Sequence, residues 1–330
     1  FTPAITAKGL GLGKKTASTA SDELVGFKPV AISDVLDTTM PTISDDYQYE
    51  VIIPWGTPIE PGITVEYNGD PNYRPTSAEA AFQVGIGHDG MWFFPRDAKP
   101  GRRLGNDNSS EGMLCINHEF GVNSHVLGKG DPESLEDVRL SQNAHGVSVL
   151  KLKRNPVRGW RVMPSRNSRR ITVNTPVGFS GPVAGTDLLE NAAGNIALGT
   201  VNNCGSGPTP WGTYLTCEEN FNGYFGANAD AEFVPTASED RYGFTSSGFS
   251  YGWHVYDARF DLTNPDFRNE QNRFGWIVEI DPNDGTQMPV KRTAMGRFKH
   301  EAVAIAESAS GRIAAYMGDD QRFDYCYKYV

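Results

Sequence analysis

The sequence predicts an all-β fold of the β-propeller kind, preceded by an extended N-terminal region. Composition points there first: 330 residues carry 36 Gly, 21 Pro, 17 Phe, 13 Tyr and 6 Trp, turn-forming and aromatic material in which long amphipathic helical stretches are hard to find. Short apolar segments also recur between Gly, Pro, Asn and Asp clusters. Finally, residues 276–317 read as four successive short strands joined by tight turns, which is the grammar of a propeller blade. No strict sequence period accompanies that grammar, and a sandwich of similar strand density is the structural rival.

Residues 1–80 read as an extended region that wraps the core. Residues 9–21 are small and Lys-bearing without apolar periodicity, and Pro54, Pro58, Pro61, Pro71 and Pro75 interrupt residues 54–75. Within the region, residues 47–54 alternate as one strand does and 77–82 form a helical turn. Residues 81–330 are assigned to blades. Strands are expected at 91–94, 113–117, 146–153 and 160–163, the last two joined by a hairpin through Asn155-Pro156-Val157-Arg158-Gly159, because Pro presets one turn dihedral and Gly supplies another. Further strands are expected at 195–202, 211–217, 252–257 and 276–281. Turns at 282–285 and 308–311 then separate strands at 290–293, 301–306 and 313–317. Residues 323–330 read as a strand with nothing after it to protect its edge, as at the end of a fragment.

The formal net charge of −10 and pI near 5.1 argue against a general nucleic-acid or membrane-surface binder, since both partners are polyanionic. An anionic substrate needs local cations; the Arg166, Arg169 and Arg170 cluster, in a Ser/Asn loop, reads as a solvated face. No apolar run approaches the roughly 20 residues that span a bilayer. The chain begins at Phe1, which fits a processed precursor whose signal peptide has gone. Four Cys (115, 204, 217 and 326) are too few for a disulfide scaffold. A Cys204–Cys217 bridge is the structural alternative for that pair.

Four segments carry the chemistry. Each places acids at the end of an apolar, Gly-flanked strand: Asn117-His118-Glu119, Thr216-Cys217-Glu218-Glu219-Asn220, Lys299-His300-Glu301 and Gly318-Asp319-Asp320-Gln321-Arg322. Carboxylates in such contexts are costly to bury unless something positive gathers them, and metal ions are the usual answer. Each segment alone also fits a solvated loop. In a propeller, strand ends from successive blades converge, so Glu119, Glu218, Glu219, Glu301, Asp319 and Asp320 can meet. Adjacent acids on a regular strand point to opposite faces, so Glu218 and Glu219 share a cluster only if the chain turns or bulges there. Cys115 either adds a thiolate, which iron or zinc attracts and calcium does not, or is a small buried hydrophobe. His118 and His300 fit supporting hydrogen bonds better than ligation. Arg322 can hold an anionic group bidentately, with Lys299 and Arg297 as weaker candidates.

The string Thr209-Pro210-Trp211-Gly212-Thr213-Tyr214-Leu215-Thr216-Cys217-Glu218-Glu219-Asn220, with the other acidic segments, resembles the PhoX family of alkaline phosphatases from about residue 30 onward. That resemblance implies a six-bladed propeller and export in folded form through the twin-arginine pathway to the periplasm or beyond. It implies hydrolysis of phosphate monoesters by a mixed centre of ferric iron and calcium; the expected active form is a monomer. Cys115 would be the iron-binding cysteine, and Glu119, Glu218, Glu219, Glu301, Asp319 and Asp320 would divide between iron and calcium, with Arg322 on the phosphate. Family members are longer, so the resemblance leads us to expect further blades and ligands beyond Val330. The implied chemistry is metal-assisted in-line phosphoryl transfer, with no nucleic-acid or membrane partner. Two alternatives are a non-catalytic, calcium-stabilised propeller binding module and a calcium-dependent propeller hydrolase such as a lactonase, in which Cys115 would be idle.

Overall fold

The computed structural model describes residues 26–34, 40–63, 72–96, 110–194, 196–228 and 232–330. The chain divides into two compact units, Phe1–Ile53 and Pro54–Val330. In the first, the Lys28 amide donates to Ser44 Oγ at 2.9 Å and its ammonium lies 3.3 Å from Asp46. The strand expected at 47–54 does not form: exposure alternates over 47–50 but Val51 and Ile52 are both exposed, and no partner ladder is joined. The segment 9–21 lies outside the described residues.

The second unit is rich in sheet. Its first sheet has the order β1 (His88–Pro95), β2 (Glu111–His118), β3 (Gly146–Asn155), β4 (Gly159–Met163), with β5 (Arg169–Ile171) also paired to β3. The β3–β4 hairpin closes on the Asn155–Gly159 pair: Asn155 Oδ1 accepts the amides of Val157 and Arg158, and Gly159 takes φ 69°. The second sheet has the order β6 (Gly178–Ser180), β10 (Val290–Arg292), β9 (Ile277–Ile280), β8 (Tyr214–Glu218), β7 (Asn203–Pro208), with β6 and β10 parallel. The third is β11 (His300–Glu307), β12 (Ile313–Asp319), β13 (Cys326–Tyr329), antiparallel throughout.

Several expectations change. The four strands read as one blade in residues 276–317 divide between two sheets, because a 3-10 turn at Thr293–Met295 and Gly296 at φ 90° end β10 before β11 begins. Residues 253–256 are a short helix, Trp253–Tyr256, entered through Ser250 and Gly252 at positive φ. It inserts a fully buried Trp253 into the largest aromatic core, with Phe221, Tyr224, Phe225, Phe260 and Phe274. Residues 196–202 make an isolated bridge, Pro176–Leu198, and no strand. Composition also understated helix: Leu135–Ala144 is a ten-residue α-helix capped by the Ser134 side chain on the Asp137 amide. Two arginines expected in solvent turn inward, where they cap buried carbonyls: Arg169 on Asp281 O, and Arg170 on Gln83 O, Asn143 O and His145 O.

The sheets approach one another through edge strands β1, β7 and β11. Contact is backbone to backbone. A Cβ on Gly90 of β1 would stand 2.8 Å from Cys204 O of β7, and one on Gly205 of β7 would stand 2.5 Å from Glu301 O of β11. Side chains would wedge these strands apart. Asn117, fully buried, joins the first two sheets: its Nδ2 donates to Cys204 O at 2.5 Å and Gly205 O at 3.0 Å, and its Oδ1 accepts from Tyr214 and Thr216 at 2.9 Å each.

One buried ion pair anchors the end of β8. Lys291 and Glu218 are both fully buried and 2.8 Å apart. Glu218 also accepts the amides of Gly275 and Trp276, while Lys291 donates to Arg273 O and lies over the Phe274 ring at 4.2 Å. Removing one partner strands the other charge in the core. Lys291→Met is expected to cost about 3–5 kcal/mol of stability, measured by urea denaturation; a loss below ~1 kcal/mol would show that Glu218 is not held by this pair.

Candidate metal centre

Each edge strand is irregular at the same end, and in the same way. In β1 the register shifts between His88 and Met91, so Asp89 and Gly90 oppose the single residue Asn117. In β7 it shifts between Asn203 and Ser206, so Cys204 and Gly205 oppose Cys217. In β11 it shifts between His300 and Val303, so Glu301 and Ala302 oppose Gly318. A two-for-one bulge bends the strand and re-aims its first side chain. Three times that side chain is a metal-ligating type: Asp89, Cys204, Glu301.

The neighbouring strands complete the pattern. Each ends in paired register with the residue before the bulge, His118 with His88, Glu218 with Asn203 and Asp319 with His300. The residues immediately beyond are Glu119, Glu219 and Asp320. The Glu119 amide is fixed on Gly87 O at 2.9 Å, the Glu219 amide on Asn202 O at 3.0 Å and the Asp320 amide on Lys299 O at 3.0 Å. Asn202 takes φ 49°, and Asn220 Nδ2 donates to Glu219 Oε1.

The outcome is two overlapping groups of donors. Asp89, Glu119 and Cys204 bring ligand atoms within 4.8 Å of one another, and so do Cys204, Glu219 and Glu301. The shared member is Cys204, whose Sγ lies 3.3 Å from Asp89 Oδ2. Crowding shows in the acidities. Burial and then the Asp89 charge raise Glu119 to a pKa of about 7, while burial and the charges of Glu119, Glu301 and Asp320 raise Glu219 to about 8. Burial, reinforced by Glu119, Asp89 and Glu301, pushes the Cys204 thiol up as well. Lys299 is half-buried and faces Glu219, Asp319 and Asp320, but burial outweighs their pull and lowers its pKa. A cation held among these oxygens and the sulfur would reverse every one of these acid shifts, since an opposite charge favours the ionised form. Four carboxylates and a thiol suit a hard oxygen-preferring ion beside one that accepts sulfur.

Of the residues singled out in the sequence, Glu119, Glu219 and Glu301 meet, and Asp320 acts on Glu219 through space. Asp319 turns its carboxylate inward to 1% exposure, 3.8 Å from Arg241, with Oδ2 making no hydrogen bond among the described residues. Glu218 belongs to the Lys291 pair on the opposite face from Glu219, as strand alternation requires. Cys115 stands apart too: it is fully buried among Phe94, Met113, Val147, Val149, Ile171, Tyr214 and Ile280, where burial raises its thiol. The thiol among the acids is Cys204. The Cys204–Cys217 bridge is absent, both residues being free, and Cys217 packs with Leu215, Ile277 and Val303. His118 Nε2 pairs with Ser148 Oγ and His300 Nε2 with Gly296 O, so neither supports a cluster carboxylate through that nitrogen. Arg322 is exposed. Sequence reasoning passed over Asp89 and Cys204; the signal available for both is a ligand-type residue directly before a glycine at the start of a strand.

A family model described as alkaline phosphatase PhoX matches residues 25–330. The chain belongs to the PhoX alkaline phosphatase family. A solved structure titled "Pseudomonas fluorescens PhoX in complex with vanadate, a transition state analogue" is similar at 40% identity and a TM-score of 0.77, over 87% of this chain and 48% of that one. The chain therefore spans about half the length of that PhoX. Comparison with curated proteins gives no match.

Because Glu119 and Glu219, crowded by neighbouring acids, hold protons near neutrality, a cation binding there must displace them. Both acids are raised, so protons compete below about pH 7–8 and cease to compete above. Calcium affinity of the metal-free protein, measured by titration calorimetry, is expected to rise on the order of a thousandfold from pH 6 to pH 8.5 if both protons are displaced, with proton release at the lower pH. A pH-independent affinity would exclude these carboxylates as ligands.

Proposed function

We propose that this PhoX-family chain carries a metal centre that hydrolyses phosphate monoesters, with iron at Cys204 and calcium among the carboxylates of Asp89, Glu119, Glu219, Glu301 and Asp320. The observation that carries the reading is the meeting of three bulged strand edges in one acidic pocket that includes a thiol. An oxygen-only staple, as in a calcium-stabilised binding module or a calcium-dependent lactonase, has no use for the sulfur. The three edge strands and their repeated bulge support reading the sheets as blades of a propeller, six-bladed in the complete family fold. No helix among the described residues is long and apolar enough to cross a membrane; from the family we infer an exported, periplasmic or secreted protein. We assign export to the twin-arginine pathway and the active form to a monomer.

When bound, the ions supply Lewis-acid charge to the phosphoryl oxygens and the leaving alkoxide. The residues of the chain do the rest. Asn117 fixes Cys204 through its carbonyl, and Asn220 orients Glu219. Lys299 is the cation facing the acids, and we assign it to the phosphoryl oxygens as a point charge. Arg322, two residues beyond Asp320, is exposed and reaches no anion among the described residues, so it is the secondary candidate for that contact.

Three measurements on the purified protein test this. Cys204→Ser is expected to lose iron by elemental analysis, together with its visible absorption, while Cys115→Ser keeps both and loses only stability. The reverse outcome would restore Cys115 as the ligand. Exhaustive chelation of calcium is expected to abolish hydrolysis of an aryl phosphate, and activity that survives it would remove calcium from the reading. Lys299→Met is expected to keep its metals and lower kcat/KM by about thirtyfold to a thousandfold, the equivalent of roughly 2–4 kcal/mol of transition-state stabilisation. Wild-type turnover in that variant, with a loss in Arg322→Ala, would move the phosphate contact to Arg322.

A further inference from the structure

The charge of this chain is unevenly spread. The β3–β4 hairpin runs Lys151-Leu152-Lys153-Arg154-Asn155-Pro156-Val157-Arg158-Gly159-Trp160-Arg161, five cations without a carboxylate, in a chain of net charge −10. Cross-strand pairing sets Lys153 directly opposite Arg161, and like charges so placed repel. On the other flank one carboxylate, Glu111, is shared among Lys151 at 2.9 Å, Arg96 at 3.3 Å and Lys153 at 3.5 Å. Arg154 and Arg158 are exposed. Between them the turn presents Val157, 92% exposed, while Trp160 sits half-buried with its ring edge-on to Phe93 at 5.5 Å. The turn is held by Asn155 Oδ1 on two amides at 2.8 and 2.9 Å, so the tip is a built projection.

An apolar side chain ringed by cations suits one kind of surface. Cations meet lipid phosphates while the apolar tip and an indole enter the headgroup layer. A soluble polyanion would use the arginines but leave Val157 idle. The net negative charge does not oppose this, because screening is local: the Debye length is about 8 Å at physiological ionic strength. Glu111, at the hairpin end of β2, and Glu119, at the acidic centre, are eight residues apart on an extended chain, about 26 Å.

We propose that the β3–β4 hairpin docks on an anionic phospholipid bilayer and holds the acidic centre at the far end of the sheet, away from the lipid. The proposal is independent of the metal and of phosphate hydrolysis.

Sedimentation with phosphatidylcholine vesicles, with and without about 30% phosphatidylglycerol, tests it on the whole protein. Each basic residue near such a surface strengthens binding about fivefold. Wild-type protein is expected to bind the anionic vesicles at least about tenfold more tightly than the neutral ones, and to release at about 1 M salt. The double variant Arg154→Glu, Arg158→Glu is expected to lose that preference, and Val157→Ser to weaken vesicle binding severalfold without changing retention on a heparin column. All these side chains are exposed, so circular dichroism should be unchanged in both variants. Equal binding to the two vesicle types, or full binding by the double variant, overturns the proposal. Strong heparin retention with a Val157→Ser variant that binds vesicles like wild type would overturn it too, making a soluble polyanion the partner.

Discussion

Bringing acids and a thiol to one point runs against both solvation and Coulomb repulsion, and in this chain backbone geometry enforces the meeting. The device is a bulge of two residues against one, repeated at the same end of β1, β7 and β11. Each bulge aims a ligand-type side chain inward, and each adjacent strand ends one residue before an acid. The raised pKa values of Glu119 and Glu219 are the electrostatic record of that arrangement. Side-chain preference alone would drive these groups apart. The folded sheets hold them.

What holds the sheets is apolar packing beneath the site and a few buried polar clamps. Leu215, Cys217 and Ile277 of the second sheet pack against Val303, Ala315 and Met317 of the third, and Met113 and Cys115 of the first pack against Tyr214 and Ile280 of the second. Asn117 satisfies both ends of its amide across that second boundary, which lets it fix the Cys204 carbonyl without an unpaired polar atom. Glu218 shows the same economy. By taking Lys291 and two amides on the far face of β8, it fixes the strand end from which Glu219 turns to the pocket. Charged groups one residue apart thus do different work, one in the core and one in the site.

The charge distribution follows the same axis. Acids gather at the end where the edge strands bulge, and cations gather around the β3–β4 turn at the other. Glu111 marks the boundary: three cations close to it pull its pKa down to about 2, where the acids of the pocket are pushed up. Within one sheet the same residue type therefore titrates about five units apart, set by neighbours and burial.

Legible in the sequence were the sheet-rich character, most strand positions, the Asn155–Gly159 hairpin, the family and three of the acids that meet, because local turn chemistry, strand alternation and a distinctive string all act over a few residues. So was the rule that separates Glu218 from Glu219, since opposite faces of a strand follow from period two. The rest came from contacts between distant strands. Whether Cys115 or Cys204 meets the acids depends on strand pairing that no single strand encodes: Cys115 lies in regular register inside an apolar run, whereas Cys204, after two asparagines, falls in the bulge that re-aims its side chain. Asp89 was invisible for the same reason: as a lone acid before a glycine it is ordinary, and only its opposition to Asn117 turns it inward. The division of β10 from β11, the helix at Trp253–Tyr256 and the inward turn of Arg170 onto backbone carbonyls likewise rest on partners more than twenty residues away in the chain or on glycine conformations that sequence permits without requiring.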